Sequence, residues 1–154
     1  MATTYITRTM QDGGNHQQGT FSFWVKRGLI NDASDTEVMY RIHNGSDYFQ
    51  IAFEDTDSLL VRQVVSSSNT FYIKTKKVFC DPTAWYHIVI AIDTTQATNI
   101  DRIKVYANGV QVPDGSLDSP GYPAQNTNLM MGEAYASSLG GNNNSLHIYS
   151  QNDI

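Results

Sequence analysis

The sequence predicts an all-β fold of two antiparallel sheets packed face to face, and three observations predict it. Apolar and polar residues alternate with a period of two in short runs, the pattern of strands that bury one face. Nine Tyr, six Phe and two Trp in 154 residues, with only 16% charged residues, suit pleated and half-buried surfaces. Clusters of Gly, Asn, Asp, Ser and Pro punctuate the runs, so that roughly eight to ten short strands are expected. A single sheet would leave one apolar face in water, which is why two packed sheets are expected.

Residues 1–19 are polar, with Gly13, Gly14 and Gly19, and read as an arm or a short edge strand at Thr3–Thr9. Residues 20–154 form the sandwich, a single domain at this length. In its first strand Phe21, Phe23 and Val25 share one face while Trp24 and Lys26 share the other; in the next, Val38, Tyr40 and Ile42 fall together. Phe49, Ile51 and Phe53 line one side of a strand that the acidic turn Glu54–Asp57 joins to a run in which Leu60 and Val64 flank Arg62. That reads as a hairpin. Phe71 and Ile73 follow as an inward pair.

From Trp85 to Asp93 the residues Tyr86, Ile88, Ile90 and Ile92 oppose Trp85, His87, Val89 and Ala91. The run is apolar on nearly both faces, so it belongs at the centre of a sheet. Trp24 and Trp85 sit in strongly alternating strands and are read as core anchors. Ile103 and Val105 point inward, and Asn108–Gly109 is a strong hairpin signal, because both residues tolerate the positive φ of a type I′ turn. Beyond Val112 the chain is loop-like, with Pro113, Pro120 and Pro123, before short apolar runs at Leu129–Gly132 and Leu146–Ser150. Gly140–Asn144 reads as a mobile loop.

Charge and composition remove several function classes. A formal charge of −5, from 15 acidic and 10 basic residues, leaves no footprint for a phosphate backbone, so no nucleic-acid partner is expected. Cys80 is the single cysteine, which rules out an intrachain disulfide and any zinc spacing. The first residues lack a basic start followed by an apolar stretch, and no later run suffices to cross a bilayer; the expectation is a soluble chain made in the cytoplasm, without membrane insertion. Sequons at Asn44–Ser46 and Asn143–Ser145 are then read as polar turns.

The densest carboxylate group is Glu54, Asp55 and Asp57. A sandwich glycosidase needs two carboxylates across one cleft, whereas this group interrupts the alternation and reads as a turn, so no catalytic residues and no enzyme are expected. With Asp47, the carboxylates of Asp55 and Asp57 offer hard oxygen ligands that would suit Ca2+, the alternative to a solvated turn; otherwise no cofactor is implied. His87 is read as a buried histidine hydrogen-bonded to backbone, the alternative being a group that orients a ligand, and His16, His43 and His147 are isolated. Sugar recognition calls for exposed aromatic faces with amides beside them. Tyr122, Tyr135 and Tyr149, next to Gly- and Asn-rich stretches that include Asn142, Asn143 and Asn144, are the candidates; the alternative is that these tyrosines cover the rim.

In Phe21–Arg27, in Val78–Val112 and in Tyr122–Asn126 the sequence resembles the concanavalin A-like, laminin-G-type jelly-roll domains of tailed-bacteriophage structural proteins. The long block is specific because it combines an aromatic pair, the Asp93-Thr94-Thr95 turn and the Asn108–Gly109 hairpin in fixed order. The likeness spans Thr20 to about Asn128. It implies a jelly-roll sandwich in a non-enzymatic virion protein, a capsid decoration, tail fibre or appendage. Such a protein would be assembled in the host cytoplasm and displayed on the virion surface. Its implied partners are other virion proteins such as capsid or fibre subunits, further copies of itself in a homo-oligomer, and host surface glycans. A carbohydrate-binding adhesin is the second reading and a glycan hydrolase the third. The family pattern also places a Gly- and aromatic-rich strand after Leu146–Ser150, closing a sheet against the early strands. Because this sequence stops at Ile154, the expectation is a fragment of a longer protein, or an edge completed by a neighbouring chain.

Overall fold

The computed structural model describes residues 6–9, 15–28, 36–113, 117–132, 136–139 and 147–149. Among them the chain forms β1 (Ile6–Thr9), β2 (Gln18–Lys26), β3 (Glu37–Asn44), β4 (Asp47–Phe53), β5 (Ser58–Val65), β6 (Ser68–Val78), β7 (Tyr86–Asp93), β8 (Ile103–Ala107), β9 (Val110–Gln111), β10 (Leu117–Gly121), β11 (Ala136–Leu139) and β12 (His147–Tyr149). Two antiparallel sheets result, a seven-stranded one ordered β1-β11-β3-β4-β5-β6-β10 and a five-stranded one ordered β12-β2-β7-β8-β9. Short 3-10 turns at Asn99–Asp101 and Met130–Gly132 are the helical elements among the described residues.

Both expected hairpins form, at the acidic turn and at Asn108–Gly109, and a third, not singled out from the sequence, joins β3 to β4. β3 and β4 join through Gly45, β4 and β5 through the acidic turn, and β8 and β9 through Asn108 and Gly109, whose φ values of 52° and 78° are those of a type I′ turn. β7 is the middle strand of its sheet, between β2 and β8, as its two apolar faces require. The edge strand expected in the first residues is β1, paired with β11. β12 stands at one edge of the smaller sheet, where it pairs His147–Tyr149 with Lys26–Trp24.

The core lies between the sheets. Phe23, Val25, Ile88, Ile90, Ile92, Ile103 and Val105 come from the smaller sheet, and Ile42, Phe49, Ile51, Phe53, Leu59, Val61, Phe71 and Ile73 from the larger; all are buried. Phe49 is the hub of an aromatic cluster, its ring centroid 5.6 Å from Phe21, 6.3 Å from Tyr40 and 6.1 Å from Phe71. Phe53, Phe79 and Tyr86 form a second cluster, at 5.4 Å and 5.2 Å.

Two expectations about burial need correction. Trp24 and Trp85 are not core anchors: they are 40% and 42% exposed. The alternation that sends Phe23 and Val25 inward forces Trp24 onto the opposite face, and size alone does not reverse that geometry. Val38 does not share a face with Tyr40 and Ile42, because the β3–β4 register shifts between Val38 and Tyr40. This bulge pairs Val38 with Ala52 and Glu37 with Phe53, which turns the Glu37 carboxylate toward the interior.

That carboxylate meets Arg27, just past the end of β2. Arg27 donates from Nε to Glu37 Oε2 at 2.9 Å, and from its terminal nitrogen to Asp57 Oδ1 at 2.7 Å and to the Phe79 carbonyl at 2.9 Å. Its guanidinium lies 4.6 Å from the centroid of the Phe53 ring. A buried acid–base–acid triad thus closes one end of the sandwich, where the turn carrying Asp57 (φ 60°) and the end of β6 converge.

At the other end, residues 122–130 are tied down by polar contacts. Gln17 donates its amide to the Asn126 carbonyl and Asn128 Oδ1, Leu129 N–H donates to the His16 carbonyl, and Arg102 donates to the carbonyls of Gln96, Ala97 and Pro123. Nearby, Asp93 accepts from the backbone and hydroxyl of Thr95 and from Gln96. The Thr95 hydroxyl leads these hydrogen bonds, which hold the carboxyl down at about 2. Since the folded value lies below that of an unfolded aspartate, near 3.9, this contribution to stability is complete above pH ~4 and is lost as pH falls through about 2. A carbon-detected titration of Asp93 should show the low midpoint, and Thr95→Val should raise it; an ordinary midpoint in the wild-type chain would contradict the turn geometry.

Candidate functional site

The acidic turn does not assemble a catalytic pair. Glu54 binds Lys74 Nζ at 2.7 Å and accepts from the Tyr72 hydroxyl at 2.8 Å, whereas Asp57 faces Arg27. Lys74 and Tyr72 alternate with the inward-facing Ile73 and Thr75, so Glu54 serves the outer surface of the larger sheet and Asp57 its interior side. Nor does the turn gather the candidate calcium ligands. Asp55 is exposed in the turn, Asp57 is ion-paired, and Asp47 sits at the opposite end of β4, where its Oδ1 accepts from Ser66 N–H at 2.9 Å. No group of three or more His, Cys, Asp or Glu side chains among the described residues is arranged to hold a metal.

Of the candidate sugar-binding residues, Tyr122 is described and packs half-buried against the core. Tyr149 is placed by register directly opposite Trp24, at the edge of the smaller sheet. Tyr135, Asn142, Asn143 and Asn144 lie outside the described residues.

The aromatic surface that sequence reasoning missed is on the outer face of the smaller sheet. Trp24 stacks on His87 with centroids 4.9 Å apart and planes 20° from parallel, and the two residues are direct cross-strand partners. The Ser22 hydroxyl and His87 Nε2 are 3.0 Å apart, and the His87 backbone is fixed by hydrogen bonds with Asn108 in both directions. Tyr149, Trp24 and His87 therefore occupy one row across β12, β2 and β7. The signal was present in the alternation, which already put Trp24 and His87 on outward positions.

A shallow depression further along this face, over β7 and β8, is lined by Asp93, Gln96, Asp101 and Lys104. Its charges are matched within the chain, as Lys104 pairs with Asp101 at 3.0 Å and Asp93 binds Gln96.

The outer face of the larger sheet carries a different row, in which Arg41, Gln50, Arg62 and Tyr72 are consecutive cross-strand partners over β3 to β6. The guanidiniums of Arg41 and Arg62 lie 4.1 Å and 5.2 Å from the centroid of the Tyr48 ring. Burial lowers the Arg41 pKa, and the neighbouring Arg62 charge pushes the same way against the influence of Tyr48.

Two antiparallel sheets enclosing one apolar core, with aromatic and charged side chains left on the outer faces, define a lectin-like jelly-roll sandwich. The chain belongs to the concanavalin A-like lectin/glucanases superfamily, whose family model matches residues 2–152. Comparison with curated proteins gives no sequence match. Among solved structures the chain is similar to a native heptameric SAP-like pentraxin from Limulus polyphemus, at 16% identity and a TM-score of 0.44, over 94% of this chain and 68% of that one. It is also similar to sheep galectin-11 in complex with glycerol, at 10% identity and a TM-score of 0.44, over 96% and 97% of the two chains.

Proposed function

We propose that this chain is a non-enzymatic contact module on the surface of a tailed-bacteriophage particle, a capsid decoration or part of a tail fibre or appendage. Its sandwich would join other virion proteins, in a homo-oligomer, and meet host surface glycans. One observation carries the contact role, the Trp24 ring held half-exposed by its stack on His87. Partly exposed Trp side chains on rigid strands make strong recognition anchors, because little conformational entropy is lost on binding. The virion setting is supported by the resemblance of the Val78–Val112 block. A non-catalytic role fits the opposed directions of Glu54 and Asp57, each of which is already paired to a cation.

Mass spectrometry of purified particles should find the chain in stoichiometric amount, and its absence from intact virions would overturn the assignment. On a glycan array or on host cells, Trp24→Ala should weaken attachment by roughly 30-fold or more, the loss typical of an aromatic hot spot of about 2 kcal/mol. Undiminished attachment by a folded Trp24→Ala variant would remove this face from the contact.

A further inference from the structure

The outer face of the smaller sheet carries a projecting ring and a hollow at matched distances from its middle. Cross-strand register sets its outward residues in rows: Trp24 with His87, then Ser22 with Val89, Tyr106 and Gln111, then Thr20 with Ala91 and Lys104. The Trp24 row and the Ala91 row therefore lie equally far, about 7 Å along the strands, on either side of the Val89 row. Trp24 is half-exposed, with one side of its ring stacked on His87. At the Ala91 row lies the depression, about 240 Å³ in volume, lined by Ala91, Asp93, Gln96, Asp101 and Lys104.

The two ends also complement each other chemically. Beside Trp24 the outward positions hold His87 and Lys26, which also acts on Asp81 in its own chain; the hollow holds Asp93 and Asp101 around Lys104. Asp101 is paired with Lys104, but Asp93 has hydroxyl and amide donors and no cation among the described residues. An indole N–H only donates, so it calls for an acceptor such as those carboxylates, and an ammonium such as that of Lys104 is drawn to an indole face. The middle row, Ser22, Val89 and Tyr106, carries no charge and can be covered without leaving one unpaired.

A face with a knob and a matching hole on opposite sides of its own midpoint fits a copy of itself, because a two-fold interface brings the same patch together twice. An axis lying in the plane of the face and running across the strands sets the Trp24 row of each copy over the Ala91 row of the other. We propose that two copies of this chain pair through the outer faces of their smaller sheets, the Trp24 ring of each entering the hollow over β7 and β8 of the other. Lys26 then comes toward the acidic rim of the partner copy. Five strands about 4.8 Å apart and about 30 Å long, the span of the nine residues of β2, present on the order of 600 Å² per copy, about 1,200 Å² in all and the lower limit of a specific interface. The pair is therefore reversible. A different protein partner has no need of a ring and a hollow matched on one face, so this self-matching favours a second copy. The inference names the partner of the Trp24 face and rests on the proposed contact role of that ring; a broken pair also loses avidity in surface attachment.

Sedimentation equilibrium of the intact chain tests the pairing. The mass should rise with concentration from 17.2 kDa to twice that value. Trp24→Ala, which withdraws both rings, should weaken association at least about 100-fold, as expected of two aromatic anchors. Ala91→Arg, which fills both hollows from an outward position, should do the same, and Thr20→Arg, on the exposed cross-strand partner of Ala91, serves if that variant does not fold. Mixing folded Trp24→Ala with Ala91→Arg should restore part of the association, because the mixed pair keeps one ring facing one open hollow. General damage to the fold gives no such recovery. A chain that stays monomeric at millimolar concentration overturns the proposal, and so does a dimer that both variants leave intact or a mixture without recovery. Should the wild-type chain be monomeric while Trp24→Ala still weakens attachment, the contact role of Trp24 stands and self-pairing fails; a dimer broken by both variants, in a chain absent from virions, keeps the pairing and removes the virion assignment.

Discussion

Arg27→Ala is expected to destabilise the sandwich by about 3–5 kcal/mol, because it strands two buried carboxylates without their cation. Glu37 and Asp57 face the Arg27 guanidinium with side chains 6% and 4% exposed, so water cannot take over its role. The Phe79 carbonyl loses its donor in the same step. The accompanying control is the triple change Arg27→Met, Glu37→Gln and Asp57→Asn, which removes the charges together and should recover most of the loss, since buried ion pairs often exceed an uncharged replacement only slightly, if at all. Urea denaturation of the variants measures both effects. If Arg27→Ala cost less than about 1 kcal/mol, the range of an exposed pair, the triad would not be the closed element described above.

Phe49→Ala should be comparably damaging, at roughly 3–5 kcal/mol, the usual cost of emptying a large aromatic site in a core. Phe49 is 0% exposed and touches rings from both sheets, Phe21 on one side and Tyr40 and Phe71 on the other. A cavity there weakens the packing that holds the sheets together, so Tm should fall by roughly 6–20 °C for a chain of this size. Phe49→Leu, which keeps most of the volume, should cost much less. Equal effects from the two substitutions in thermal melts would mean that the ring contacts contribute little beyond bulk.

The contrast between these sites shows where sequence reasoning reaches. Phe49 was assignable to the core because a period-two pattern is a property of the strand alone: once Ile51 and Phe53 are inward, Phe49 must be as well. The outward placing of Trp24 and His87 follows from the same rule, and reading Trp24 as an anchor set residue size above it. The Arg27 triad had no such local signal. Arg27, Glu37 and Asp57 come from three separate segments, and their meeting depends on a bulge at Val38–Tyr40 that no alternation pattern announces. Likewise, Asp47, Asp55 and Asp57 are close in sequence yet lie at two ends of one strand or face different partners.

By itself, then, the chain's order of residues determined most strands, the hairpins at Glu54–Asp57 and Asn108–Gly109, the central position of Tyr86–Asp93 and the faces of side chains that alternate without a bulge, since these depend on backbone geometry and near neighbours. Only the tertiary structure decided which polar groups are matched and which are not. Charges separated by tens of residues find partners through sheet order and register, and that is why Glu54 and Asp57 are paired to cations while the buried Nε–H groups of Arg41 and Arg62 are left without acceptors.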